Sequence, residues 1–198
     1  MNRLLVVLAM AGLSLPAMAG DWGLDQETGA VVQYQTVQAN GYWGNQQVSE
    51  ALSWTLGFDW DRTYGLRGGL VARSVQTSTV YQNTVYPGYQ GWGWTIAGDW
   101  FPFRTDLWGA SWATGVTVAG TYEYLSYPGL YKSFVLPGFT AALAGEVNPG
   151  TLWGLDARGL ALRLRVPVGL DQRDGFRLSW RVGAELSLVF RGIGGQTP

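Results

Sequence analysis

Carboxylates and arginines are the side chains of this sequence that could carry acid–base chemistry. The chain has no His, which removes the commonest general base, and no Cys, which removes thiolate metal sites and disulfides. Six acidic residues follow a spacing that turns them to one side of a sheet, and a hydrolase built from carboxylates alone would need two of them in opposite protonation states. They are Asp59, Asp61, Asp99, Glu123, Asp156 and Glu185.

Ion pairing is the alternative use of these carboxylates. Seven arginines share their side of the sheet: Arg67, Arg73, Arg158, Arg163, Arg165, Arg177 and Arg181. The two sets nearly balance, and the net charge of the whole chain is −1, so no bulk attraction to nucleic acid is expected. We therefore predict a structural network of ion pairs, with no catalytic, metal-binding or cofactor-binding residue.

The segment 176–191 indicates which element positions these charges. Apolar and polar residues alternate over its sixteen positions with one exception, Val189, and this period of two is that of a β-strand. One face is apolar and the other carries Arg177, Arg181 and Glu185. A long strand with these two faces is typical of a barrel wall that has lipid outside and a polar lumen inside.

Eight segments follow a strand pattern, and the even number favours an all-β fold, an eight-stranded antiparallel up-and-down transmembrane β-barrel. The segments are 30–38, 51–61, 64–77, 91–103, 107–124, 131–147, 151–169 and 176–191. Short periplasmic turns are predicted at 61–65, 102–106 and 147–150. Extracellular connections are predicted at 39–50, 77–91, 125–131 and 170–175. Breaks in alternation predict a bulge or a kink at Pro137-Gly138 and a bulge at Gly159.

An eight-stranded lumen is just wide enough to be filled by side chains, and a cation on the lipid face costs about 2–4 kcal/mol at mid-membrane. The charged residues are therefore expected to face inward and to close the lumen as ion pairs. Eleven Trp and ten Tyr suit two aromatic belts at the membrane interfaces. The alternative is a water-soluble barrel, whose interior would hold the aromatics and whose surface would hold the charges.

The start of the chain resembles a secretory signal peptide. Arg3 precedes a twelve-residue apolar stretch, and Ala17-Met18-Ala19 gives a small-x-small cleavage pattern. We predict a signal peptide at 1–19 and an outer-membrane β-barrel domain at 20–198.

Two predicted outer connections combine aromatic and amide side chains, which together can bind a sugar or a protein surface. The candidate binding residues of the outer connections are Tyr42, Trp43, Tyr81, Tyr86, Tyr89 and Tyr127. The alternative is that these residues belong to the upper aromatic belt and to compact turns.

The last strand resembles the C-terminal insertion signal of outer-membrane barrels through Arg181, Gly183, Leu186, Leu188 and Phe190. This strand and the barrel architecture together make the mature chain similar to small eight-stranded outer-membrane proteins of the OmpA, OmpX and OmpW type. The resemblance implies secretion through the inner membrane, handling by the barrel-insertion machinery and residence as a monomer in the outer-membrane lipid of a diderm bacterium. Barrel enzymes of similar size use a His, which this chain lacks.

The function expected from the sequence is non-enzymatic, with a charge-filled lumen and a role in envelope integrity or in surface interaction with a glycan or protein ligand. One alternative is a narrow channel for small or apolar solutes, which ion pairs across the lumen would argue against. A second alternative is a soluble periplasmic lipocalin-like binding barrel, which would need no detergent.

Overall fold

The structure is a computed structural model that describes residues 22–39, 42–60, 62–76, 78–80, 84–127, 132–152, 155–156, 159–173 and 177–192. The predicted signal peptide therefore lies outside the described residues. No helix in the described part of the chain is long and apolar enough to cross a membrane.

Eight antiparallel strands form one closed barrel, as the alternation predicted. Because a closed sheet has no free edge, every wall strand pairs on both sides. The strands are β1 Trp22–Ala39, β2 Tyr42–Trp60, β3 Tyr64–Val75, β4 Tyr89–Leu107, β5 Ala110–Tyr127, β6 Lys132–Asn148, β7 Leu160–Arg173 and β8 Arg177–Arg191.

The barrel closes by pairing β1 with β8, and its strands are staggered. Following paired residues once around the wall from Glu27 leads back to β1 at Val37, ten residues further along the same strand. A stagger of this kind requires the strands to tilt, by about 35–45° in barrels of this type. The start of β1 and the end of β8 lie at one end of the barrel, here called the terminal end; the other is the distal end.

Left-handed backbone conformations mark two tight turns at the terminal end. Arg62 has a φ of 53° in the turn between β2 and β3, which matches the turn predicted at 61–65. Trp108 and Gly109 have φ values of 54° and 75° and form the two-residue turn between β4 and β5. Two positive φ values are what a tight hairpin of the type I′ class requires.

The predicted turn at 102–106 is wrong, because the chain continues there as β4. A register shift between Trp100 and Phe103 accommodates Pro102, which has no N–H to donate to the sheet. The bulge predicted at Pro137-Gly138 is also wrong, since β6 keeps an unbroken register with β5 through both residues. Pro102 is thus accommodated by a bulge, whereas Pro137 lies in the sheet without one.

One predicted connection and one predicted strand also differ from the structure. Most of 39–50 is strand, because β1 extends to Ala39 and β2 begins at Tyr42. The first half of the predicted strand at 151–169 is not barrel wall: Thr151–Leu152 pairs with Leu155–Asp156 in a small separate hairpin, and β7 begins only at Leu160. A bulge at Gly159 is therefore not needed. Another small hairpin, Ser78–Val80 with Thr84–Tyr86, lies between β3 and β4.

The two faces of the wall have opposite polarity. The outward positions hold large apolar side chains that remain exposed, such as Leu66, Trp94, Val118, Leu164 and Leu186. The inward positions hold buried charged and polar side chains. This arrangement is the reverse of a water-soluble barrel, so the soluble lipocalin-like alternative is wrong. It is the arrangement of a barrel surrounded by lipid.

Candidate functional site

Glu27 is the centre of the ion pairs in the terminal half of the lumen. Its carboxylate contacts the guanidinium groups of Arg67, Arg163 and Arg165, with 2.8 Å to Arg163 Nη1 and 3.0 Å to Arg165 Nη2. Asp99 lies beside it, 3.0 Å from Arg67 Nη2, and accepts a hydrogen bond from the Thr117 hydroxyl. We call these residues the terminal cluster: Glu27, Arg67, Asp99, Thr117, Arg163 and Arg165.

A second set of charges continues from the terminal cluster toward the terminal mouth. Arg163 Nη2 donates to Glu146 Oε2 at 2.7 Å, and Arg191 Nη2 donates to Glu146 Oε1 at 2.6 Å. The Nε atom of Arg191 lies 3.7 Å from Asp25 and 3.6 Å from Asp59. Consecutive guanidinium groups are thus linked through shared carboxylates, and a cavity of about 20 Å³ lies among them.

Two discrete ion pairs cross the distal half of the lumen. Arg73 binds Glu123 in a bidentate manner, with 2.7 Å from Nε to Oε2 and 2.8 Å from Nη2 to Oε1. Arg181 Nη2 lies 2.7 Å from Asp171 Oδ1. The amide oxygen of Gln33 accepts from both arginines, at 3.1 and 3.3 Å, and so joins the two pairs.

Gly93 sets the position of Glu123 because it lies directly opposite it in the neighbouring strand. A Cβ at Gly93 would meet the Tyr122 carbonyl oxygen at 2.2 Å and Glu123 Cα at 2.5 Å. Only a residue without a side chain allows β4 and β5 to approach this closely.

An apolar cluster fills the lumen beyond these pairs, at the distal end. Its buried members are Val75, Tyr89, Leu125 and Leu136, and Tyr127 and Phe134 pack against them. The Tyr89 ring lies 5.3 Å from that of Phe134 and 6.0 Å from that of Tyr127, edge to face, and its hydroxyl donates to Gln35 Oε1 at 3.0 Å. We call these six residues the distal apolar cluster.

A cavity of about 90 Å³ lies between the terminal cluster and the distal ion pairs. Arg67 and Arg165 line one side, Arg73 and Arg181 the other, and small residues such as Ala119 form the wall between them. The cavity is large enough for several water molecules and has polar groups to bind them.

Nine residues of the predicted network lie inside the barrel: Asp59, Arg67, Arg73, Asp99, Glu123, Arg163, Arg165, Arg181 and Glu185. The structure brings them together in the groups described above. Asp61 and Arg158 lie outside the described residues, as do the side chains of Asp156 and Arg177.

Five members of the network were not among the predicted residues: Asp25, Glu27, Glu146, Asp171 and Arg191. Glu27 was missed because the first strand was predicted to begin eight residues after its observed start, and Asp171 because it was assigned to a turn. Extending the period of two backward from residue 30 would have placed Asp25 and Glu27 on the inward side.

The structure corrects one of the predicted binding residues and places another. Tyr89 begins β4 and is buried inside the barrel, so it does not stand on an outer connection. Tyr127 ends β5, packs against Tyr89 and is half-buried. The period of two carried this signal, because Tyr89 is ten residues from inward Asp99 on β4 and Tyr127 is four residues from inward Glu123 on β5. Tyr81 lies outside the described residues, and so do the side chains of Tyr42, Trp43 and Tyr86.

The residues of the predicted insertion signal are divided between the two faces of β8. Leu186 and Leu188 are exposed on the outer wall, whereas Arg181 is buried in the lumen. Phe190 is half-buried, and Gly183 faces the lumen, where a Cβ would meet the Val32 carbonyl oxygen at 2.2 Å. Recognition by the insertion machinery stays a prediction.

No protein-family model matches the sequence, and comparison with curated proteins gives no match. Solved structures do match. The attachment invasion locus protein Ail of Yersinia pestis, in complex with the heparin analogue sucrose octasulfate, is 9% identical with a TM-score of 0.44, over 85% of this chain and 99% of that chain. Neisserial surface protein A is 8% identical with a TM-score of 0.47, over 83% and 96% of the two chains. The β domain of the Bordetella autotransporter BrkA is 14% identical with a TM-score of 0.29, over 87% and 99%.

The chain's own geometry decides its class. A closed barrel of eight strands with an apolar outer face and a charged interior is an outer-membrane β-barrel, because a lipid-exposed sheet must be closed and must present apolar side chains. The resemblance to small eight-stranded outer-membrane proteins is confirmed at the level of architecture.

Proposed function

We propose that the protein is a non-enzymatic outer-membrane barrel that acts at the cell surface through its distal end and does not conduct solutes. The observation that carries this proposal is the filling of the lumen at three successive levels. The terminal cluster, the Arg73–Glu123 and Arg181–Asp171 pairs and the distal apolar cluster follow one another along the axis.

The paired state of the charged groups argues against catalysis. Glu27, Asp99 and Glu146 each contact at least one guanidinium, and Glu123 accepts hydrogen bonds from both Nε and Nη2 of Arg73. Both oxygens of each of these carboxylates contact guanidinium nitrogens, so neither oxygen is free to exchange a proton with a substrate. Among the described residues, no group of His, Cys, Asp or Glu could hold a metal ion.

The end of the barrel that faces outward is the distal end, because barrels with an even number of strands keep both chain ends in the periplasm. The part of the lumen nearest the cell exterior is then the distal apolar cluster, with the half-buried rings of Tyr127 and Phe134. Aromatic rings of this kind suit a surface glycan or a protein ligand. The closed wall leaves no strand edge for a second copy, which supports a monomer.

A narrow channel is the second candidate function, and the cavity of about 90 Å³ is the observation that favours it. The test that separates the two candidates is conductance of the folded chain in planar bilayers, with heat-modifiable gel mobility as the check of folding. We expect no steady channels. Discrete, reproducible conductance steps would contradict the proposal and make transport the leading function.

Matched variants show which level closes the lumen. We expect Leu136→Ala together with Tyr89→Ala to remove the apolar level but to leave the barrel non-conducting, because the ion pairs remain beneath it. The control is Leu143→Ala with Tyr122→Ala, which truncates exposed residues of the outer wall. Conductance in the lumen variant alone would mean that the apolar cluster is the barrier and that the ion pairs admit ions.

The surface role is tested with cells that display the chain and with immobilised neutral and sulfated oligosaccharides as probes. We expect retention of these cells to fall in the Tyr127→Ala variant and to persist in Tyr124→Ala, whose ring lies on the lipid face. Equal retention of both variants would contradict a glycan role for the distal aromatic rings.

A further inference from the structure

A groove of about 280 Å³ runs along the outer wall of the barrel across β1 to β4. The outward-facing residues that line it are Thr28, Leu52, Trp54, Leu70, Ala72 and Trp92. Ala72 lies between Leu52 on one neighbouring strand and Trp92 on the other. Its single methyl group leaves a gap between larger neighbours, and the gap is the groove.

The groove begins at the distal aromatic belt and runs toward the middle of the wall. Trp92 belongs to a contiguous group of outward-facing rings with Trp94, Tyr122 and Tyr124, whose neighbouring centroids lie 5.7 to 6.3 Å apart. Trp54 lines the other part of the groove, paired with Thr28 on one side and Leu70 on the other. Aromatic belts of this kind lie at the membrane interface, so the groove extends from the interface into the hydrocarbon region.

We propose that this groove holds one acyl chain of a lipopolysaccharide molecule. The wall it interrupts is the exposed apolar surface of the barrel, so the groove is continuous with the face that is turned to lipid. An apolar cavity does not retain water, and an empty one forfeits the dispersion contacts of every residue that lines it. A hydrocarbon chain restores those contacts.

The leaflet determines which lipid supplies the chain. The groove lies in the distal half of the wall, and the distal end faces outward in a barrel with both chain ends in the periplasm. The outer leaflet of a diderm outer membrane is built from lipopolysaccharide, whereas phospholipid fills the inner leaflet. A chain that enters past Trp92 therefore belongs to lipopolysaccharide.

The opposite wall supplies a matched comparison. Ala141 on β6 is also an exposed alanine of the lipid face, but its paired neighbours are Val118 and Val168. Neither of the two residues paired with Ala141 is a tryptophan. The same substitution at Ala72 and at Ala141 therefore adds the same apolar surface, and only the first fills the groove.

The test is native mass spectrometry of the folded full-length chain in detergent, after incubation with purified lipopolysaccharide or with phosphatidylethanolamine. We expect the unmodified chain and Ala141→Phe to retain one lipopolysaccharide molecule. We expect Ala72→Phe to bind lipopolysaccharide with an affinity about tenfold lower and to retain correspondingly less of it. Equal retention by Ala72→Phe and Ala141→Phe would overturn the proposal. Preferential retention of phosphatidylethanolamine would overturn its assignment to lipopolysaccharide.

A second pair of variants covers a failure of Ala72→Phe to fold, which heat-modifiable mobility would reveal. Trp92→Ala removes one side of the groove, whereas Trp94→Ala removes a neighbouring indole that does not line it. We expect retention of lipopolysaccharide to fall only in Trp92→Ala. A matching fall in Trp94→Ala would mean that the aromatic belt, and not the groove, holds the lipid.

Discussion

The two halves of the lumen are both filled with charge, but they organise it differently. In the terminal half, Glu27 is shared by three guanidinium groups and Arg163 by three carboxylates, so the charges form one connected cluster. In the distal half, Arg73 is paired with Glu123 and Arg181 with Asp171, below an apolar cluster. Removing one carboxylate therefore takes a partner from several cations at the terminal end and from one at the distal end.

The largest effect is expected from Glu27→Gln in the terminal cluster. The substitution keeps the size of the side chain but removes the anion shared by Arg67, Arg163 and Arg165. Breaking a buried ion pair from one side costs about 3–5 kcal/mol, and three cations lose a partner here. We expect the free energy of unfolding in urea, measured in lipid vesicles, to fall by at least that amount.

Glu185→Gln is the control for that prediction. Glu185 also binds Arg165, at 2.7 Å, but its replacement takes a partner from one arginine rather than three, and Arg165 keeps both oxygens of Glu27. We therefore expect a smaller loss of stability than in Glu27→Gln. If both variants unfold at the same urea concentration, the sharing of Glu27 among three arginines has no energetic consequence and the contrast between the two halves is lost.

A smaller effect is expected from Glu123→Gln in the distal half. Arg73 then loses its bidentate partner, but Gln33 and Ser49 still accept hydrogen bonds from it. We expect the free energy of unfolding to fall by about 3 kcal/mol, the lower limit for breaking a buried pair. The measurement is the same urea titration.

Removing both partners sharpens the comparison. The double variant Arg73→Met with Glu123→Leu leaves no uncompensated charge, and replacing a buried pair by apolar residues is often neutral. We expect it to be more stable than Glu123→Gln alone. A double variant as unstable as the sum of its single variants would mean that the pair does not act as a unit.

Alternation predicted the class of the barrel and the face of the wall on which most charged residues lie. The two faces meet different solvents, so apolar and polar residues must occupy alternate positions along each strand. Arg163 and Arg165 on β7, or Arg181 and Glu185 on β8, needed only the period of two. Prediction failed where the alternation is not evident. Asp25 and Glu27 precede the predicted first strand, and Asp171 lies in a polar segment that was predicted to be a turn.

The partners within the lumen could not be predicted from the sequence. Glu27 and Arg165 are 138 residues apart and meet only because the barrel closes with a stagger of ten residues. A change of two residues in that stagger would keep each side chain on its own face of the wall but bring different partners together across the lumen. Alternation determines the face on which a residue lies, but its position along the barrel axis depends on the pairing register of all the strands.

The hydroxyl group of Tyr89 offers a milder test of the distal end. Tyr89→Phe keeps the ring contacts with Tyr127 and Phe134 but removes the hydrogen bond to Gln35. One such bond contributes about 1 kcal/mol, so we expect a decrease of that size in the free energy of unfolding and no conductance. The control is Tyr124→Phe on the lipid face. Equal decreases in the free energy of unfolding of both variants would mean that the hydrogen bond inside the lumen does not contribute to stability.

The smallest effect is expected at the terminal end, where Trp108 occupies a left-handed conformation in the turn between β4 and β5. Its side chain is 92% exposed, so a replacement loses few contacts, and its φ of 54° favours Asn, which the first position of such a turn prefers. Trp108→Asn should therefore raise the free energy of unfolding, by about 1 kcal/mol at most. Arg62→Asn, at a φ of 53° in the neighbouring turn, should act in the same direction. If Trp108→Asn lowers stability while Arg62→Asn raises it, the indole contributes at the terminal end through a contact with lipid that outweighs the strain of its backbone.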